Sequence, residues 1–286
     1  MLSNKVSEIM TTHLITAPVS ASVFEVIETM AGEDAGRIIV TDADVPIGIF
    51  TEKDVLRRVV NAGIDARKVK IKQVMTAPVR AVREETHIID AFGKMYFGKF
   101  RHLLVRGRRG KIIGIVSMRR ILNIAVELGQ GLSETKTLGN IASGAIVFLE
   151  ANATAKEAVD IMEKKNLTAV VVSASGKPEG IFTERDVLKR VAAKELPVNE
   201  TTLKQVMTAP IITMPQSAFV GDVLAEMYRR DIRNMPVKAD TGELTGLVSM
   251  PEILQYARAL NVDEQVRRSW KEIAELLDTE DQYTPG

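Results

Sequence analysis

Cysteine is absent from this 286-residue chain. Disulfides, thiolate metal sites and cysteine nucleophiles are therefore excluded. Histidine is nearly as scarce. His13, His87 and His102 are the only three, they lie far apart, and no H-x-x-x-H pair occurs. That spacing argues against a zinc site. Aromatic residues make up only 5%, so the core must rest on β-branched strands and Ala/Leu helices. Excess charge is missing too. Lys plus Arg total 38 against 37 for Asp plus Glu, a net of +1. A general nucleic-acid binder needs a more concentrated positive field. A local patch such as Arg101, Arg106, Arg108, Arg109 and Lys111 is the best support for RNA or DNA binding. No run reaches ~18 uninterrupted apolar residues, so no membrane-spanning helix is expected. The opening MLSNKVSEIM lacks the apolar centre of a signal peptide, and a cytoplasmic location is expected. Enzyme signatures are wanting as well: no P-loop, G-x-S-x-G, H-E-x-x-H or Rossmann fingerprint occurs. No catalytic residue, metal ligand or catalytic cofactor is assigned.

What the chain does have is repetition. At 45% hydrophobic and 26% charged it has an ordinary globular composition, and its length suggests about two domains of ~150 residues. Four segments align: GIFTEKD, GIVSMRR, GIFTERD and GLVSMPE, whose first glycines are Gly48, Gly114, Gly180 and Gly246, a constant period of 66. A second landmark precedes each: EIMTT ending at Thr12, QVMTAP ending at Pro78, NIASG ending at Gly144 and QVMTAP ending at Pro210. A third is Met30, Met95, Met162 and Met227, each 20 residues after Met10, Met75, Ala142 and Met207. Fixed order and spacing mark a true repeat.

Periodicity switches in the same order within each repeat. In the first, Leu14 to Thr16 is extended and Pro18 ends it. Ser22-Val-Phe-Glu25 is a capping box opening a helix with Val26, Ile27 and Met30 on one face, and Thr154-Ala-Lys-Glu157 repeats the box. Strands follow at Ile38–Val40 and Ile47–Phe50, separated by an Asp-rich turn. A last helix carries Val55, Leu56 and Val59, matched by Ile121/Leu122, Val187/Leu188 and Ile253/Leu254. The reading is an α/β (α+β) chain of β-α-β-β-α repeats.

A unit this small cannot bury both faces of its sheet alone, so repeats should pair. Repeats one and three share GIFTE(K/R)DVL, two and four share (I/L)VSM, and the higher-order unit is a pair duplicated once. The predicted boundaries are 1–66, 67–131, 132–198 and 199–262, with a tail at 263–286. A linker falls at 129–136, GQGLSETK. In the tail, Val266, Trp270, Ile273 and Leu277 have helical spacing, suited to packing on the body or docking a partner.

The strand-to-helix junctions carry the candidate chemistry. Thr51 ends a strand and Asp54 lies one turn on; Thr183 and Asp186 repeat them. Free N–H groups at a helix start favour an anion, and a carboxylate can accept both hydroxyls of a ribose. The same four residues also read as plain capping boxes. At the acid's position the even repeats carry Arg120 and Glu252, and they place Arg101-His102 and Arg233-Asn234 before their central strands. Acid on one repeat and base on its neighbour suggest a shared cleft, with a diol at one end and a phosphate at the other.

The repeat resembles the CBS domain through G-h-h-[ST]-x-x-[DE] (h apolar), seen in GIFTEKD, GIFTERD and GLVSMPE, and through the V-M-T opening. GIVSMRR departs by lacking the acid. The layout is similar to archaeal relatives of the AMP-activated protein kinase gamma subunit. The resemblance implies two Bateman modules forming a disc, with AMP, ADP or ATP bound between paired repeats. The first implied site has Asp54, Thr51 and Ile49, with Thr76, Ala81, Phe100 and Arg101 around the base and Arg37, His102 and Arg119 toward phosphate. The second has Asp186, Thr183 and Ile181, with Thr208, Thr213, Ile232, Arg233 and Asn234. Thr168 and Pro251 stand near the places of Arg37 and Arg119, so the first site is expected to prefer more phosphate charge. The Arg120 cleft should be empty or take only an anion, because Arg cannot accept hydrogen bonds. The implied role is regulatory, with a regulated protein or a second copy as partner. Another adenosine ligand such as S-adenosylmethionine, or a nucleic acid, is the alternative.

Overall fold

The computed structural model describes residues 5–98, 100–121, 137–141, 146–250 and 252–253. The 129–136 linker, the tail with Val266, Trp270, Ile273 and Leu277, and the landmark residues Leu122, Ala142, Pro251 and Leu254 lie outside them.

Four three-stranded sheets are present among the described residues. In the first, β1 (Thr16–Pro18) runs parallel to β2 (Arg37–Asp42), and β3 (Val45–Thr51) returns antiparallel along β2. A parallel pair needs a crossover, which the helix Val23–Gly32 supplies. Its capping box forms as expected: Glu25 N–H donates to Ser22 Oγ at 3.2 Å and Ser22 N–H to Glu25 Oε2 at 2.6 Å. Thr154 and Glu157 form the same box. The β2–β3 turn needs positive φ at both central residues; Ala43 and Asp44 take 44° and 65°. The other sheets repeat this plan: β4 (Ala81–Arg83), β5 (His102–Arg106) and β6 (Ile112–Ser117); β7 (Phe148–Glu150), β8 (Ala169–Ala174) and β9 (Lys177–Thr183); β10 (Met214–Pro215), β11 (Asn234–Lys238) and β12 (Leu244–Ser249).

Each odd repeat then starts its last helix. Glu52–Asp54 continues into a π-helical stretch, Val55–Val60, where Asn61 N–H donates to the Leu56 carbonyl at 2.9 Å. Glu184–Asp186 and Val187–Ala192 do the same. Single π turns inside helices often mark functional positions.

Two apolar cores hold the molecule, and both cross the module boundary. One joins repeats one and three, including Val55, Leu56, Val187 and Leu188; the other joins two and four, including Met95, Val105, Met227 and Val237. Adjacent repeats are tied differently. Their sheets meet at Ile39, Leu104 and Ile115, and they exchange their opening segments. Val6 and Ile9 pack in the core of repeats two and four, while Ile71 and Val74 pack with one and three. The exchange is stitched by short backbone bridges: Ile49 with Thr76, Thr11 with Ile115 and Ile181 with Thr208.

This exchange explains why the repeat glycine and the V-M-T methionine recur together. A Cβ on Gly180 would lie 2.6 Å from Met207 Sδ and 2.8 Å from the Thr208 carbonyl oxygen. On Gly114 it would lie 2.7 Å from Met10 Sδ. Glycine lets the partner repeat's segment lie flat on the strand.

Candidate functional site

The site is built where β9 ends. Thr183 is the last strand residue, and its N–H and hydroxyl donate to Asp186 Oδ2 at 2.9 and 2.7 Å. Thr208, delivered by the exchanged segment of repeat four, donates its hydroxyl to Asp186 Oδ1 at 2.9 Å. Arg190 Nε stands 3.4 Å from the same oxygen. The Ile181–Thr208 backbone pair, at 2.9 and 2.8 Å, fixes that approach. Asp186 is only 5% exposed, and burial pushes its carboxyl above the usual range despite these donors. The cap fixes the orientation of this carboxylate.

Asp186 faces a cavity of about 340 Å³, within the ~300–1,000 Å³ typical of small-molecule sites. Ile181, Ile232 and Met250 give it apolar wall. Both modules supply its arginines: Arg37, Arg101 and Arg119 from the first, Arg185, Arg230 and Arg233 from the second. Most of these already face a carboxylate. Arg101 Nη2 is 3.4 Å from Glu184 Oε2 across the module boundary, and Arg233 pairs with Glu52 across the same boundary. Arg185 Nε is 3.6 Å from Glu52 Oε1, and both Arg119 and Arg185 pair with Asp231. Arg37 forms no ion pair among the described residues. Burial and then the nearby Arg233 lower its pKa to about 10. His102 is pushed well below its ordinary range, first by burial and then by Arg37, Arg101 and Arg233. It is neutral at pH 7 and offers a hydrogen bond, not a charge.

A carboxylate, hydroxyls, an apolar wall and guanidinium forks together suit a ligand with a vicinal diol, a flat ring and a phosphate. The repeat architecture and this junction are those of a known family. The CBS domain family matches residues 6–61, 71–127, 138–193 and 203–259. The chain belongs to it. Among its relatives, the CBS domain-containing protein CBSCBSPB1 of Arabidopsis thaliana is 26% identical over 86% of this chain and 52% of its own length. The chain spans about half the length of the curated relatives it matches. In fold it is similar to Methanocaldococcus jannaschii MJ1225, described as a candidate homologue of g-AMPK, with a TM-score of 0.73, 15% identity and coverage of 88% and 99%. An uncharacterized Pyrococcus horikoshii protein has a TM-score of 0.58 at 20% identity, covering 88% and 99%.

The residues implied by the sequence divide by whether they line this cavity. Ile181, Thr183, Asp186, Thr208, Ile232, Arg233 and Asn234 share the cavity, with Asn234 Oδ1 accepting from the Thr168 hydroxyl at 2.7 Å. Thr213 of the same set does not line it. It sits just before β10, beyond the exchanged segment that carries Thr208. Arg37, Arg101, His102 and Arg119, implied for the first site, line this same cavity, because the strand starts of both modules converge on it. These four residues therefore border the cavity of Asp186 and not the Thr51–Asp54 cap.

The rest of the first set lines neither this cavity nor its neighbour. Thr51 and Asp54 form their cap at 2.7 Å, and Ile49 pairs with Thr76. Thr76 makes no hydrogen bond to Asp54, unlike Thr208 to Asp186. Ala81 packs at the sheet interface, and Phe100 lies under Arg80, 4.3 Å from guanidinium to ring centre. The neighbouring cavity, about 280 Å³, lies by the Thr11–Ile115 bridge and shares Arg37, Arg119, Arg185 and Arg233 with the first. In that repeat Arg120 gives Ser117 only its backbone N–H, at 3.1 Å.

Glu52 and Glu184 escaped the sequence reading. They are 1% and 5% exposed and hold the arginines that had been matched with Asp54 and Asp186. The signal was present: this glutamate stands in both odd repeats, where the even ones have Met118 and Met250.

Proposed function

We propose that this CBS protein is a non-catalytic regulatory subunit or sensor that binds an adenine nucleotide in the cavity of Asp186. The supporting observation is the junction itself. A buried carboxylate, aimed by Thr183 and Thr208, shares one cavity with arginines from both modules. Asp186 accepts the ribose hydroxyls, Ile181 and Ile232 flank the base, and the arginines meet phosphate. Because both modules line the cavity, the ligand bridges them and favours one arrangement, which a protein partner or a second copy reads. The Thr51–Asp54 cap, which has the same local geometry but borders neither cavity, is the second and weaker candidate. Among the described residues no helix is long and apolar enough to cross a membrane.

A thermal-shift screen with AMP, ADP, ATP, S-adenosylmethionine and GTP tests this through ligand linkage. An adenine nucleotide should raise the melting midpoint, and Asp186→Ala should abolish most of that rise. A shift with S-adenosylmethionine alone would support a phosphate-free ligand and reject the nucleotide reading.

A further inference from the structure

Glu52 and Glu184 occupy an unusual position for acids. Each follows the cap threonine of an odd repeat, each is almost fully buried, and each reaches an arginine of the other module. A phosphate seeking Arg101 or Arg233 must compete with a carboxylate already there. Displacing that carboxylate leaves a buried charge without its partner, which is costly. Glu52 Oε1 has no hydrogen-bond donor and sits 3.6 Å from Arg185 Nε, which lacks an acceptor. Arg230 pairs with Glu226, which leaves Arg37 as the lining guanidinium without an ion pair among the described residues, attracted by Glu52 only at longer range. One guanidinium outside any ion pair, beside neutral His102, suits one phosphate group.

We infer that Glu52 and Glu184 are specificity-determining residues that restrict this cavity to a nucleoside monophosphate. They do so by holding Arg233 and Arg101 away from a second and third phosphate. The inference rests on the nucleotide reading above. A purely structural role for the glutamates predicts something different: their loss would weaken the fold and lower affinity for every nucleotide alike.

The test is calorimetric titration of wild type, Glu52→Gln and Glu184→Gln with AMP and with ATP, without divalent cations. Wild type should bind AMP more tightly. Each Gln variant keeps the shape but frees an arginine, and should shift the ATP-to-AMP affinity ratio toward ATP by roughly tenfold, the scale of one unit charge screened at close range. The rise should shrink at high salt. An unchanged ratio in both variants, with AMP still bound and still dependent on Asp186, overturns the inference and leaves the function standing. No AMP or ATP binding by folded wild type overturns the function itself. The two glutamates hold corresponding positions in the two odd repeats, so a Glu52→Gln variant that fails to fold leaves Glu184→Gln, which frees Arg101, to decide.

Discussion

Two side chains at the cavity carry opposite pH signatures. Burial depresses His102, so the unfolded chain takes up a proton below about 6.5 that the folded chain resists. Stability from this group is complete above that pH and is lost as pH falls below it. The wild-type melting midpoint should therefore drop between about pH 7 and pH 5, and His102→Gln should flatten that slope. An equal slope in the variant would show that other groups dominate. Asp186 behaves inversely, since burial raises its carboxyl. Its ionised form costs stability above the folded pKa and nothing below the unfolded value of 3.8. Asp186→Asn should raise the melting midpoint of the unliganded protein at neutral pH while removing the rise caused by AMP. A lower unliganded midpoint would mean that the hydrogen bonds of the cap outweigh burial.

The elements follow from local signals strong enough to read directly. Ser22 with Glu25 and Thr154 with Glu157 mark helix starts, and the short apolar runs Ile38–Val40 and Ile47–Phe50 mark the strands. The recurrence of Gly and Met was also visible, but its cause was not, because it lies in a contact between different repeats. Gly180→Ala tests that contact. The added methyl meets Met207 Sδ, which can swing away, and the Thr208 carbonyl, which cannot move without breaking the bridge to Ile181. Overpacking of this kind costs about 1–3 kcal/mol. Denaturant unfolding should report that loss, with nucleotide affinity falling further because Thr208 aims Asp186. A neutral substitution would refute the close approach. Thr51, Asp54, Thr183 and Asp186 were legible as caps, which form as the T-x-x-D spacing asks. Glu52 and Glu184 were obscured by looking like ordinary first-turn acids.

At the scale of the whole molecule, pairing has two layers. Adjacent repeats exchange segments and share a small sheet interface, whereas the larger cores join repeats across modules. The period announced four repeats, but no spacing could announce which arginine meets which acid across the module boundary. Arg101 with Glu184 and Arg233 with Glu52 are two equivalent pairs, one on each side. Breaking a fully buried pair by removing one partner costs about 3–5 kcal/mol; here Arg233 is partly exposed and Glu52 would keep Arg185 at 3.6 Å, so the loss is smaller. Arg233→Ala should therefore destabilise the protein more than Arg108→Ala, whose side chain is 84% exposed; comparing their denaturant midpoints decides it. One cavity served by both modules is central to the proposed function. A crystal structure of the AMP complex tests it most directly. It should place the ribose hydroxyls within hydrogen-bond distance of Asp186 and the phosphate against Arg37. Ribose held elsewhere, with Asp186 still bonded only to Thr183 and Thr208, would contradict it.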